Sequence, residues 1–350
     1  MDKTQTLQLS FYGVNIGIKS SCAEALEHID RDFSYFKSPA AAAAGMEIVA
    51  YQQEPPYAGL APMSAAYLSP RNICYHRGNL KYIDYPGRAM VVCDRANRRY
   101  SVYSLDPLAL HEICYMLIIS LIGEQFDKRG LCRVHALGFE LEGKAILLLL
   151  GMGGGKTTIA LDTLSLNSKV RLISEDSPLI DRQGNILPFP LRIGIRPQSL
   201  PENIPQRYIR FFPREEFGPK YLIDIDFFKN RISACQAYPA GVVILGRRVL
   251  GQEPRIIPAG KYAAYRQFVK DCVIGMGLYQ GIEYIFQKSP LEIISRVPYL
   301  WSRSLNAGRL ISRAKIFEFL ITNDRQKNTL VFNDFLRRLD KGPEADKNET

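Results

Sequence analysis

The stretch "LLLLGMGGGKTT", Leu147 to Thr158, constrains this chain more than any other, because an apolar run ends abruptly in four glycines, a lysine and two threonines. A buried strand that empties into a glycine-rich turn and restarts as a helix is the layout of a phosphate-binding loop. Small residues let backbone N–H groups converge there, and the helix N-terminus adds partial positive charge. The flanks supply the required context. "CRVHALGFELEGKAILLLLG" reads as a strand, a tight turn at Glu142 to Lys144 and a wholly apolar strand, and Ile159, Leu161, Leu164 and Leu166 give residues 155 to 166 helical spacing.

In this setting Lys156 is expected to reach the β and γ phosphates and Thr157 to place its hydroxyl on Mg²⁺. Gly151, Gly153, Gly154 and Gly155 supply backbone freedom, while Thr158 either joins the cradle or caps and packs the helix. The spacing is irregular: the usual first glycine of such a loop is replaced by Leu150. A second buried strand, "KVRLIS", ends in Glu175 and Asp176. In an open α/β sheet the carboxyl ends of the strands border the ligand crevice. One carboxylate could therefore help hold Mg²⁺ while the other accepts a proton from a substrate hydroxyl.

Other polar residues read two ways. His135 lies in the strand before the hairpin, and a lone histidine at strand spacing is as a rule structural. Arg192 and Arg196 either approach phosphates or end a solvated strand, and Arg247 and Arg248 follow the apolar run "VVILG" at another strand end.

Around this core, residues 7 to 104 alternate in short runs broken by turn residues, which reads as a β-rich N-terminal domain over 1–127. Asp106 before Pro107 signals the start of an apolar helix running to about 125. Its core, "ICYMLIISLIG", is shorter than the roughly 20 residues a bilayer crossing needs, so no membrane span is expected. The nucleotide-binding domain is placed at 128–260, a helical extension at 261–337 and a disordered polar tail at 338–350.

Apolar content of 47% and charged content of 23% over 350 residues are those of a soluble globular protein. The formal charge of +10 favours anionic partners without choosing among nucleotides, acidic proteins, nucleic acid or a membrane surface. Basic residues between 303 and 338 are interleaved with Glu318, Asp324 and Asp334, so nucleic acid is not an expected partner. The seven cysteines are scattered without metal-ligand spacing, which fits a reducing cytoplasm, and the N-terminus lacks the pattern of a secretory signal.

The segments "VHALGFELEGKAILLLLGMGGGKTTIALDTL" and "VRLISEDSPLID" resemble the catalytic core of HPr kinase/phosphorylase and its HPr-kinase-related relatives. That fold also contains phosphoenolpyruvate carboxykinase, whose loop similarly ends in GKTT. The resemblance covers about residues 131 to 197. It implies an α/β P-loop catalytic domain of the carboxykinase/HPr-kinase type, joined to a β-rich N-terminal domain and a helical C-terminal region. It further implies ATP as donor, Mg²⁺ as cofactor, and His135 near the transferred phosphate. Gly153, Gly155, Lys156 and Thr157 match the family's loop, Glu175 and Asp176 its acidic pair, and Asp176 its catalytic base and Mg²⁺-side carboxylate.

Departures are the Leu150 and Met152 positions of the loop, Glu175 in place of an aspartate, and a missing downstream signature, which argues against HPr as acceptor. The activity implied is transfer of the γ-phosphoryl group of ATP to a hydroxyl, serine in the first place, on a protein, peptide or small molecule. The alternative is a nucleotide-binding regulatory sensor without kinase activity. A carboxykinase-like metabolic enzyme would need substrate and metal residues that are not found. The C-terminal helices offer a surface for a partner or a second subunit.

Overall fold

A computed structural model of the chain describes residues 5–39, 45–69, 71–213, 219–275 and 296–341. The fold is mixed α/β and divides into two compact units, Met1–Gln125 and Phe126–Thr350.

In the first unit, the described residues form an eight-stranded sheet from β1 (Gln5–Phe11), β2 (Val14–Ser20), β3 (Met46–Tyr51), β4 (Ala65–Leu68), β5 (Ile73–Arg77), β6 (Leu80–Tyr85), β7 (Ala89–Asp94) and β8 (Arg99–Tyr103). Its order is β1-β2-β3-β8-β7-β6-β5-β4. Turn chemistry sets the hairpins: Gly13, Gly78 and Gly87 all take positive φ where the chain reverses. Alternating runs read from the sequence correspond to β1, β2, β3, β6, β7 and β8, whereas β4 and β5 lie outside them. Helix α1 (Ala23–Asp32) was not read from the sequence; it buries Ala25, Leu26 and Ile29 along one stripe.

Helix α2 (Pro107–Arg129) starts where Asp106 Oδ1 accepts a hydrogen bond from the Leu108 N–H at 2.9 Å, a side-chain cap of the expected kind. It runs 23 residues, further than its apolar core suggests. By length and composition it could cross a bilayer, which corrects the reading that it is too short, but 56% of its apolar stretch is buried within the protein. That is how the core helix of a globular unit behaves.

In the second unit, the described residues build a central sheet from β10 (Leu137–Leu141), β11 (Lys144–Leu149), β12 (Arg171–Ser174), β18 (Ala240–Arg248), β19 (Arg255–Pro258) and β20 (Lys315–Ile321), preceded in the chain by the short β9 (Cys132–Arg133). The order is β12-β10-β11-β18-β20-β19. β11 pairs in parallel with β18, and β18 with β20, whereas β10 runs antiparallel to both β11 and β12. β11, β12, β18 and β20 thus all point the same way and end on one edge.

Every residue of β11 after Lys144 is buried, as its unbroken apolar run requires of a strand covered on both faces. Ala145, Leu147 and Leu149 pack with Ala264 and Phe268 of α4 (Lys261–Phe268) and with Ala307, Leu310 and Ile311 of a later helix, Val297–Arg313. On the other face, Phe139 and Phe319 meet Phe332 of the last helix, Arg325–Lys341, and α3 (Lys156–Leu166) lies beside it. The two late helices are α5 and α6. Each fully buried aliphatic side chain of this kind contributes about 1.5–3 kcal/mol.

Two small sheets complete the unit. Between β12 and β18 run β13 (Leu179–Ile180), β14 (Ile186–Leu187), β15 (Ile193–Ile195), β16 (Ile209–Phe212) and β17 (Lys220–Ile223). They pair as β14-β13-β9 and β15-β17-β16. The β13–β14 hairpin turns through residues 181–185, with Asp181 Oδ1 accepting from the Gln183 and Asn185 N–H groups at 2.8 Å.

The region read as a helical extension is not helical throughout. β20, "KIFEFLI", inserts between β18 and β19, so the central sheet is completed by chain beyond residue 260. Its alternating Phe317 and Phe319 face α6, a two-residue period that the flanking helical segments conceal. Of the tail expected to be disordered from 338, residues 338–341 instead close α6, and the rest lies outside the described residues.

Candidate functional site

The carboxyl edge of the central sheet collects most of the polar residues singled out from the sequence. β11 ends at Leu149, and the chain then winds through Leu150 to Gly155 before α3 begins at Lys156. Gly153 and Gly155 have φ of +71° and +104°, values that only glycine adopts without strain. Gly154 is constrained differently. A Cβ there would collide with the Leu150 side chain and lie 2.8 Å from the Gly151 carbonyl oxygen.

Leu150 is therefore no accident of spacing. Its side chain is 3% exposed and sits beneath the loop against Gly154 and Gly246. A loop whose first position is apolar is anchored from below, while open space surrounds the Cα faces of Gly151 and Gly153. Met152, by contrast, projects outward, 82% exposed.

No side chain caps α3, and its first backbone hydrogen bond runs from the Ile159 N–H to the Gly155 carbonyl at 3.0 Å. The N–H groups of Lys156, Thr157 and Thr158 thus have no partner within the helix, and they carry the positive end of its dipole. Thr158 stays half-buried in this first turn.

Lys156 is 6% exposed, unusual for a lysine. Its Nζ donates to the Leu150 carbonyl at 2.7 Å and lies 2.7 Å from His135 Nε2 and 3.4 Å from Asp176 Oδ1. His135 Nε2 is in turn 3.1 Å from the same Asp176 oxygen. The ring nitrogen serves one neighbour at a time: protonated on Nδ1 it accepts from Lys156, and protonated on Nε2 it donates to Asp176.

Backbone bonds fix this triangle. The Val134 and Ala136 N–H groups donate to the carbonyls of Pro178 and Asp176, and the His135 N–H donates to the Asp271 carbonyl at 2.9 Å. Ser174 Oγ, at the end of β12, donates to the Phe189 carbonyl and accepts from the Ser177 N–H, holding the turn that carries both acids.

The two carboxylates face different partners. Glu175 accepts a hydrogen bond from the Thr157 hydroxyl, whereas Asp176 turns to His135 and Lys156. The sequence places Asp176 with Thr157 on the metal side; in the structure Glu175 is the acid that meets Thr157.

Their electrostatics differ accordingly. Desolvation, reinforced by the charge of Asp176, pushes the Glu175 carboxyl up to about 7 against the opposing pull of Thr157, Lys156 and Lys220. Enclosure also pushes Asp176 up, but the His135 hydrogen bond and the Lys156 charge outweigh it and hold that carboxyl below its ordinary value. Neighbouring carboxyls with opposed shifts suit separate roles.

Two features of the site, Asp271 and Arg303, were not read from the sequence, and a third, Arg248, was read only as a strand-end arginine. Asp271, 1% exposed, lies in a π-helical stretch, Val269–Ile274, that continues α4; burial raises its carboxyl despite the Gln267 hydrogen bond and the nearby charges of His135 and Lys156. Arg303 of α5 steadies that stretch, donating to the Val273 carbonyl at 3.0 Å while bridging Asp127 at 2.7 Å. Arg248 reaches the loop, its Nη2 donating to the Gly154 carbonyl at 3.3 Å.

Other arginines lie elsewhere. Arg247 pairs with Glu318 at 2.7 Å, Arg192 lies over the Phe212 ring at 5.8 Å, and Arg196 is exposed before the turn Pro197–Ser199.

Among the described residues no group of three or more His, Cys, Asp or Glu side chains has the arrangement of a protein-only metal cage. Mg²⁺ does not need one, because it binds through one or two carboxylates, a hydroxyl, water and substrate phosphates. Thr157 Oγ1 and the Glu175 carboxylate, adjacent at the helix N-terminus, fit that donor set. In comparison with known proteins, no family model and no curated protein matches this chain.

Proposed function

We propose that the protein is an ATP-dependent phosphotransferase of the HPr-kinase-related type, with the carboxykinase/HPr-kinase P-loop fold in its second unit, passing the γ-phosphoryl group to a hydroxyl, serine foremost. The acceptor is a protein, a peptide or a small molecule, and the cytoplasm is the expected compartment. One observation carries the reading: the uncapped N-terminus of α3 gathers a buried lysine, a threonine–carboxylate pair and a second carboxylate engaged by histidine within one cluster.

In this reading the loop amides and the N–H groups of Lys156 to Thr158 bind the phosphates, and Lys156 counters charge on the transferred group. Glu175 and Thr157 are the residues that would hold Mg²⁺, which when bound neutralises phosphate charge. Asp176 takes the proton of the acceptor hydroxyl as its oxygen bonds to the γ-phosphorus; the bond to the β–γ bridging oxygen breaks, and ADP leaves. His135 holds Asp176 ionised and oriented.

Incubation with ATP labelled in the γ position and cell extract tests this. Label on a discrete acceptor, lost with Asp176→Asn, supports transfer. Binding of ATP with no turnover and no acceptor points instead to the regulatory sensor.

A further inference from the structure

The two sides of the loop along the sheet edge differ chemically. β12 delivers Glu175 and Asp176, and the chain before β10 delivers His135. On the opposite side of the loop, β18 delivers Arg248 and β20 leads into Asn323. The parallel register sets this second group together, since Arg248 pairs with Ile321 two residues before Asn323.

Arg248 Nη1 donates to Asn323 Oδ1 at 3.1 Å and Nη2 to the Gly154 carbonyl at 3.3 Å, so the guanidinium is held from two sides. Nη2 also sits 3.9 Å from where a Gly155 Cβ would be. Yet both Arg248 and Asn323 are exposed. An exposed guanidinium held beside the loop, on the side away from the acids, presents its remaining N–H groups to whatever extends out of the loop.

We infer that Arg248, positioned by Asn323, binds the nucleoside half of the donor, its ribose and base, and so gives the bound triphosphate its direction along the sheet edge. This rests on the nucleotide reading above. The transferable phosphate must lie toward Asp176, where a proton can be accepted; the other end of the donor then leaves the loop over β18 and β20. There a planar cation and an amide side chain lie side by side, suited to a sugar hydroxyl and an aromatic ring.

Calorimetric titration with magnesium ATP and with magnesium tripolyphosphate separates the possibilities, because tripolyphosphate has phosphates but no nucleoside. Arg248→Gln should weaken ATP about tenfold, as loss of a charged hydrogen-bonding group does, and weaken tripolyphosphate by much less, the charge beside Gly154 alone being lost there. Asn323→Ala should shift ATP in the same direction by less. Equal losses for both ligands, or no loss for either, overturn the inference, whereas wild-type protein that binds neither ligand overturns the nucleotide reading itself. Unchanged thermal melting of both variants confirms that these exposed substitutions leave the fold intact.

Discussion

Lys156 Nζ lies 2.7 Å from His135 Nε2, and both groups converge on one oxygen of Asp176. Within a phosphate loop the lysine alone would be a point charge; here it belongs to a triangle in which a histidine and a carboxylate share it. The arrangement keeps Asp176 ionised against the desolvation that opposes its charge.

In the proposed transfer, removing His135 should therefore impair the base more than the binding. His135→Ala takes away the hydrogen bond that lowers the Asp176 carboxyl, so the acidic limb of the pH–rate profile moves to higher pH while the KM for ATP changes little. Asp176→Asn should cost about a hundredfold or more in kcat, the scale of general-base loss. The sign for stability follows: a depressed carboxyl stabilises the fold above its unfolded-state pKa and loses that contribution as pH falls through the folded value. An acidic limb unmoved in His135→Ala would remove histidine from this role.

Glu175 behaves in the opposite sense. Its carboxyl is pushed up to about 7, so between 4.5 and that value the folded chain keeps a proton that the unfolded chain has lost. Stability of the ligand-free protein should therefore fall as pH rises through this window, and Glu175→Gln should flatten the slope. Asp271, also raised, adds a slope of the same sign, which makes the comparison with the variant necessary. Mg²⁺ needs the ionised carboxylate, so its affinity should rise with pH through about 7 with release of a proton. Titrations in buffers of different ionisation enthalpy measure that release.

Much of this site was legible because its signals are local. The glycines, Lys156 and the threonines lie within a few residues of one another, and Glu175 and Asp176 follow an apolar run whose end is plain. Arg248 and Asn323 were not legible as a pair, since they meet only through the parallel register of β18 and β20. The role of Leu150 was obscured for a related reason: the sequence shows a missing glycine, and only packing shows the side chain turned beneath the loop. Asp271 carries no motif, and its main-chain oxygen, rather than its side chain, supports His135.

The contact between Leu150 and Gly154 yields a test by coupling. Leu150→Ala removes a buried side chain and should cost about 2–5 kcal/mol in denaturant unfolding. Gly154→Ala places a methyl group where Leu150 stands and should be destabilising on its own. In the double variant the methyl enters the space that Leu150 leaves, so the combined loss should be smaller than the sum, with the nearby Gly151 carbonyl keeping it above zero. Strict additivity would mean that the two positions do not share this space.

Arg303 links the stability of the second unit to its chemistry. Its guanidinium grips Asp127 through Nε at 2.8 Å and Nη2 at 2.7 Å, and Nη1 donates to the Val273 carbonyl at 3.0 Å. Side-chain exposures of 16% and 9% place the pair largely out of solvent. Breaking one partner of such a pair leaves the other charge poorly compensated, so Arg303→Ala should cost about 3 kcal/mol. The same arginine steadies the π-helical stretch whose Asp271 carbonyl receives the His135 N–H, so the loss should reach the site as well. Phosphoryl transfer should fall in Arg303→Ala even at temperatures where the variant remains fully folded, with ATP binding less affected than turnover. Melting curves recorded beside turnover measurements decide the matter, because a variant that is folded and fully active would show that the π-helical stretch does not position His135.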